Sequence, residues 1–136
     1  DKVAKVLQKL GSKHAMVVHG YEGLDEISTT SSTKISHLKE DNSIESTAIS
    51  PSDFGFEKAS LKDLKGGEPE ENAVIIKNIL DNSDKGKKAD IVILNAGAGI
   101  FVGGKSKNLE DGVQLARESI ESGAAFEKLN QLAAVK

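Results

Sequence analysis

Val3, Val6, Leu7 and Leu10 recur at i, i+3, i+4 and i+7, the apolar stripe of a helix, and Gly11 is placed to end it. The period then changes. "HAMVVHG" is a short apolar run of the kind that a strand buried on both faces carries in a parallel sheet. "TKISHLK" alternates apolar and polar residues as a half-buried strand does, and "SIESTAIS" before Pro51 reads as another. Joined by "EDN", these two predict a hairpin. Between them and the first strand lies "STTSST", a polar loop. Helix, loop, buried strand and loop make half of a βαβ-like unit, whose first strand would precede Asp1. The expected architecture is therefore α/β, a mixed, mainly parallel sheet flanked by helices.

The second half of the chain is helical in period. In "GGEPEENAVIIKNILDNS", Pro69 suits the first helical position, and Glu68, Glu70 and Glu71 sit at the positive end of the helix dipole. Ala73, Ile76, Ile79 and Leu80 are the predicted inward face. "ADIVILNAGAGIFVGG" fits two readings: a β-branched strand, or a closely packed helix rich in small residues. Asn108-Leu109-Glu110-Asp111 predicts a capped helix start with Leu109, Val113, Ala116 and Ile120 on one face. A last helix follows, with Phe126, Leu129 and Leu132 apolar.

Composition narrows the function classes. At 136 residues the chain suits one domain burying roughly two-thirds of its unfolded surface. Its 38% hydrophobic and 29% charged residues are those of an ordinary globular protein. A net charge of −3 provides no basic field for nucleic acid or an anionic membrane, so neither partner is expected. Without cysteine there is no disulfide, thiolate metal site or cysteine nucleophile, which fits a reducing compartment, and a cytoplasmic location is expected. The longest apolar stretch is broken by Asp90 and Asn95 and is short for a bilayer.

Three constellations bear on chemistry. His14, His19 and His37 have no i+3 or i+4 partner among themselves, which argues against a histidine metal site. "NAGAG" resembles the Asn-Ala-Gly segment of short-chain dehydrogenases, but Gly97, Gly99 and Gly103 do not make the Gly-x-Gly-x-x-Gly turn. The only tyrosine, Tyr21, has Asp25 four residues on, where those enzymes need a lysine. Close packing is the favoured role for these glycines. The third is Asp25-Glu26 in "HGYEGLDEIS". Magnesium takes hard oxygen ligands, commonly one or two carboxylates plus substrate phosphates. The stretch just beyond a strand's carboxyl end is where α/β sheets bind ligands, and Gly20 and Gly23 allow a tight turn there. Two solvated acids, one of them capping the next turn, is the competing reading.

"VVHGYEGLDEIS", "KASLKDLKGGEPEENAVIIKNIL" and "ADIVILNAGAGIFVGGKSKNLEDGVQLARESIESGAAFEKLNQL", in this order, together resemble the anthranilate phosphoribosyltransferases over essentially the whole chain. The resemblance implies transfer of phosphoribosyl from phosphoribosyl pyrophosphate to anthranilate, with release of pyrophosphate, in tryptophan biosynthesis. It implies a partial nucleoside phosphorylase/phosphoribosyltransferase-like domain, with residues 1–136 the later portion of the α/β domain. It also makes "ADIVILNAGAGIFVGG" a packed helix, and Asp25 and Glu26 ligands of Mg2+ held against the pyrophosphate, with no catalytic acid or base among these residues.

The family's Gly-Thr-Gly-Gly-Asp phosphate loop, its Lys-His-Gly-Asn segment and its anthranilate-binding arginine would lie before Asp1, since Lys13-His14 is followed by Ala15. The helical domain through which the family usually forms homodimers is also expected upstream. "STTSST" departs from the family's proline- and glycine-containing turn, and "NAGAGI" has glycines where alanines are usual. Two other readings remain: a non-catalytic folded fragment that binds magnesium or phosphate, and a pyrimidine nucleoside phosphorylase-like protein.

Overall fold

The computed structural model describes residues 1–135, with six α-helices and three strands among them. Helix α1 (Lys2–Lys9) leads into strand β1 (Ala15–Gly20), followed by β2 (Thr33–Leu38) and β3 (Ile44–Ile49). A short 3₁₀ turn (Pro51–Phe54) precedes α2 (Leu61–Leu64), α3 (Pro69–Leu80), α4 (Lys87–Val102), α5 (Leu109–Glu121) and α6 (Ala124–Ala133).

The sheet has the order β1-β2-β3, and both pairings are antiparallel, Val18 facing Ile35 and Ile35 facing Thr47. The expectation of a mainly parallel sheet is thus overturned. A parallel pair needs a long crossover, usually a helix, between its strands. Here residues 21–32 join β1 to β2 with no helix, and residues 39–43 join β2 to β3 in a turn. In that turn Asn42 takes φ +66° and Asp41 accepts from the backbone N–H of Ser43 at 2.9 Å. The predicted hairpin is present. Among the described residues no helix joins two strands: α1 precedes β1 and the other helices follow β3.

The ambiguous apolar stretch is helical, as the resemblance implied. Helix α4 packs along α5, and Ala89, Ile93, Leu94 and Gly97 are buried beside Leu109, Val113, Ala116 and Ile120, the face predicted for α5. Gly97 permits this approach: a Cβ there would lie 2.6 Å from the Val113 Cα. The packing role predicted for the glycines holds at Gly97. Gly99 faces open space, and Gly103 meets only carbonyls of its own helix, at Gly99 and Ile100.

The helix starts follow the sequence. Asn108 caps α5, its side chain accepting from the Asp111 N–H at 2.7 Å. Glu68 precedes Pro69 as the cap of α3, and the Glu71 carboxylate accepts from the Glu68 N–H at 3.0 Å.

Burial departs from the periodic prediction at the margins. Ala4 is the buried residue of α1 and Leu7 is half-buried, while Val3, Val6 and Leu10 are exposed. On α3, Ile79 is buried and Ile75 and Leu80 are half-buried, but Ala73 and Ile76 face outward. Leu132 on α6 is exposed while Phe126 and Leu129 are half-buried. Strand β1 is half-buried along Ala15–Val18 and exposed at His19, not sealed on both faces.

Candidate functional site

The chain leaves β1 at Gly20 and turns at once. Gly20 donates to the Leu24 carbonyl at 2.8 Å and accepts from the Gly23 N–H at 2.9 Å. Gly23 takes φ +109°, a conformation open to glycine and strained for other residues. Gly20 is closely fitted for a different reason. A Cβ there would stand 2.7 Å from a Glu22 carboxylate oxygen and 3.2 Å from the Ser28 Cβ. The tight turn predicted from these two glycines is present.

Asp25 and Glu26 follow this turn, and both are exposed. Among the described residues neither carboxylate has a hydrogen-bond or ion-pair partner. The next residue is held firmly. Ile27 is buried, donates its N–H to Asn95 Oδ1 at 2.9 Å, and accepts at its carbonyl from Asn95 Nδ2 at 2.8 Å. Asn95 sits midway along α4, and its Nδ2 also reaches the Ile91 carbonyl at 3.0 Å. The acidic pair is therefore a two-residue span between a closed turn at Leu24 and a two-point clamp at Ile27.

Beyond Ile27 the segment expected to be a polar loop turns inward, with Ser28, Thr29, Thr30 and Thr33 buried. The hydroxyls of Ser28, Thr30 and Thr33 serve as local partners, whereas Thr29 Oγ1 has none among the described residues. Ser28 N–H donates to Thr33 Oγ1 at 2.8 Å, and Ser28 Oγ accepts from the Thr30 N–H at 2.9 Å and the Ser31 N–H at 3.2 Å. The Ser28 and Thr30 hydroxyls both donate to the Glu22 carboxylate, which folds back across the loop. Burial pushes the Glu22 carboxyl up, but these donors together outweigh it and hold the group below the usual glutamate range. Glu22 thus stays anionic as a structural acceptor. The Ala59 N–H closes the far side on the Thr29 carbonyl at 2.9 Å.

The donor set fits a hard divalent cation. Asp25 and Glu26 present charged oxygens with free lone pairs to solvent, and two such ligands leave positions for water and phosphate oxygens, as magnesium prefers. No group of three or more His, Asp or Glu side chains gathers to hold a metal among the described residues, so the pair would need outside ligands.

The histidines behave otherwise. His14 and His37 meet through Nε2 atoms 2.8 Å apart, with the Phe101 ring edge-on to both. Spacing along the chain concealed this pair, because antiparallel strand pairing sets Met16 opposite His37. His19, at the end of β1, is exposed and opposite Lys34.

Comparison with known proteins gives this geometry a family. Residues 1–126 match the model of the glycosyl transferase family, a/b domain. The chain belongs to that family. It is 47% identical over 130 residues to an anthranilate phosphoribosyltransferase of Petrotoga mobilis, covering 96% of this chain and 37% of that protein. A second, of Methanocorpusculum labreanum, is 47% identical over 132 residues, covering 97% and 38%. Among solved structures, the anthranilate phosphoribosyltransferase of Thermus thermophilus superposes with a TM-score of 0.85 at 39% identity, covering 94% of this chain and 37% of that one. The Saccharomyces cerevisiae enzyme in complex with PRPP and Mg reaches 0.81 at 27% identity, covering 95% and 37%. The chain thus spans little more than a third of the length of these relatives. No helix among the described residues is long and apolar enough to cross a membrane.

Two contributors to the site escaped the reading by motif. No motif singles out Glu22, and Asn95 stands out only within "NAGAG" and as a break in the longest apolar stretch. The signal for Asn95 was present: a lone amide inside an apolar helix needs polar partners.

Proposed function

We propose that the protein carrying this chain is an anthranilate phosphoribosyltransferase. It moves the phosphoribosyl group from phosphoribosyl pyrophosphate to the amino nitrogen of anthranilate and releases pyrophosphate, a step of tryptophan biosynthesis in the cytoplasm. Residues 1–136 form the later portion of its α/β domain. The phosphate-binding loop and the helical domain, through which the protein dimerises, belong to the preceding part. No nucleic-acid or membrane partner enters the reading. The observation that carries it is the exposed Asp25-Glu26 span, unpaired among the described residues and held between two clamps, in a chain about 47% identical to enzymes of that name.

In this reading Asp25 and Glu26 hold Mg2+ on the pyrophosphate group. Bound there, the metal supplies charge neutralisation and orientation for the leaving group. The chain's own residues contribute placement. The Gly20–Gly23 turn sets the direction of the loop, and the two carboxylates bind through oxygens that no side chain among the described residues competes for. Neither acid moves a proton: the reaction needs positioning and electrostatic stabilisation more than covalent participation from this segment.

The isolated chain is proposed to turn over nothing. Val3, Val6 and Leu10 leave apolar area on α1 uncovered, and the acidic pair lacks further ligands among the described residues. The deciding assay measures phosphoribosyl anthranilate formation by the whole protein with and without magnesium. Changing Asp25 and Glu26 together to Ala should lower turnover by more than about 100-fold, beyond the usual effect of a ligand's supporting partner. A fully active double variant would defeat the assignment.

A further inference from the structure

We infer that Asn95 is a positioning residue for the Asp25-Glu26 pair, holding the loop in a metal-competent geometry from the middle of helix α4. The inference rests on the proposal that these two carboxylates bind magnesium.

Asn95 and Ile27 are 68 residues apart in the chain, yet one side chain engages both backbone polar groups of Ile27. The amide Oδ1 takes the N–H at 2.9 Å, and Nδ2 donates to the carbonyl at 2.8 Å, a side-chain imitation of a strand's paired bonds. The second Nδ2 bond, to Ile91 at 3.0 Å, fixes the rotamer against the helix's own preceding turn. Ile27 itself is 1% exposed and packs into the core, so the clamp acts on an anchored residue.

Position makes this more than a tie between loop and helix. On the other side, the Leu24 carbonyl is closed onto Gly20. Only Asp25 and Glu26 lie between the two fixed points, and neither has a partner of its own among the described residues. Their orientation before a metal arrives therefore depends on the backbone at Leu24 and Ile27. Removing the Ile27 clamp frees one end of a two-residue span, and the carboxylates then lose conformational freedom at the moment of binding. Groups that orient a metal's ligands commonly contribute to affinity in this indirect way.

The test uses the whole protein and three variants. Asn95→Leu keeps the branching at Cγ and the number of side-chain heavy atoms and suits a half-buried helix position, but makes neither bond to Ile27. Asn95→Asp keeps the acceptor for the N–H and loses the donor. Val113→Ala opens the core on α5 without touching the loop and serves as the stability control. Manganese(II) binding, followed by water-proton relaxation with the metal alone, should weaken about 10- to 100-fold in Asn95→Leu and by less in Asn95→Asp. Half-saturating magnesium in turnover should rise in parallel, while kcat at saturating magnesium stays within about threefold of the parent. Amide hydrogen exchange at Ile27 should accelerate in both Asn95 variants, and Val113→Ala should leave metal binding unchanged. A folded Asn95→Leu with parental manganese affinity overturns this inference alone. A parent protein that binds no manganese and ignores magnesium overturns the metal-ligand reading and this inference with it.

Discussion

Gly97 and Val113 meet where α4 crosses α5, close enough that a Cβ on Gly97 would stand 2.6 Å from both the Val113 Cα and its backbone nitrogen. Backbone atoms cannot step aside as a flexible side-chain end can. The reciprocal contact is as tight, a Cβ on Gly112 lying 2.4 Å from the Gly97 carbonyl oxygen. Gly97→Ala should therefore separate the helices and cost about 3 kcal/mol, the upper end for overpacking. Gly99→Ala, two residues on in the same helix, meets nothing within 4 Å. It should instead gain about 0.5–1 kcal/mol from helix propensity. Urea unfolding of the two variants checks both signs, and two changes of equal sign would contradict the packing.

The His14–His37 contact predicts an acid-sensitive stability. Burial holds the His37 ring below its ordinary value, the neighbouring His14 and Lys39 act in the same direction, and Glu45 opposes them. The sign follows from linkage. Above an unfolded pKa of about 6.5 the ring is neutral in both states and nothing is lost. As pH falls below that value the unfolded chain takes up the proton and the folded chain resists it, so stability drops through the folded pKa. Two protonated rings would also set N–H against N–H across the 2.8 Å contact. Melting temperature measured from pH 7.5 to 5 should fall more steeply for the parent than for His37→Leu.

Glu22 should matter to the loop although it touches neither acid of the pair. Its carboxylate accepts from the Ser28 and Thr30 hydroxyls, both of which belong to buried residues. Glu22→Ala leaves these donors short of an acceptor and should cost about 1–3 kcal/mol, while Glu22→Gln keeps one oxygen and should cost less. Its folded pKa is lowered, so this contribution is present above the ordinary glutamate range and is lost as pH falls through the folded value. Chemical unfolding at pH 7 and pH 4 should find the Ala variant and the parent closer together at the lower pH.

Asp25 and Glu26 should behave in the opposite way. Both are exposed and unpaired among the described residues, so Asp25→Ala with Glu26→Ala should shift unfolding free energy by less than about 0.5 kcal/mol. Relief of repulsion between adjacent like charges favours a small gain. Thermal unfolding of the double variant separates a lost ligand from a damaged fold, and a large destabilisation would mean that the acids support the loop.

Much of the local structure was legible. Pro69 and the acids around it, Asn108 and the apolar period of α5 each specify an element through neighbours a few residues away. The Gly20–Gly23 turn and the acids beyond it were legible for the same reason, since φ at Gly23 and closure onto Leu24 are short-range matters. The helical state of "ADIVILNAGAGIFVGG" was not, because small and β-branched residues satisfy either period; the resemblance, not the pattern, pointed to a helix.

By itself, then, the sequence determined where most elements start, where the hairpin turns and which loop carries two adjacent carboxylates. Only the tertiary structure decided that β1 pairs antiparallel with β2, that Val3, Val6 and Ile76 stay in solvent, and that "STTSST" turns inward over Glu22. It alone brought His14 to His37, and Asn95 to the backbone of Ile27. The physical reason is reach. Periodicity and turn chemistry act over a few residues, whereas strand direction, the covered part of an apolar face and a clamp across 68 positions depend on which distant surfaces pack together.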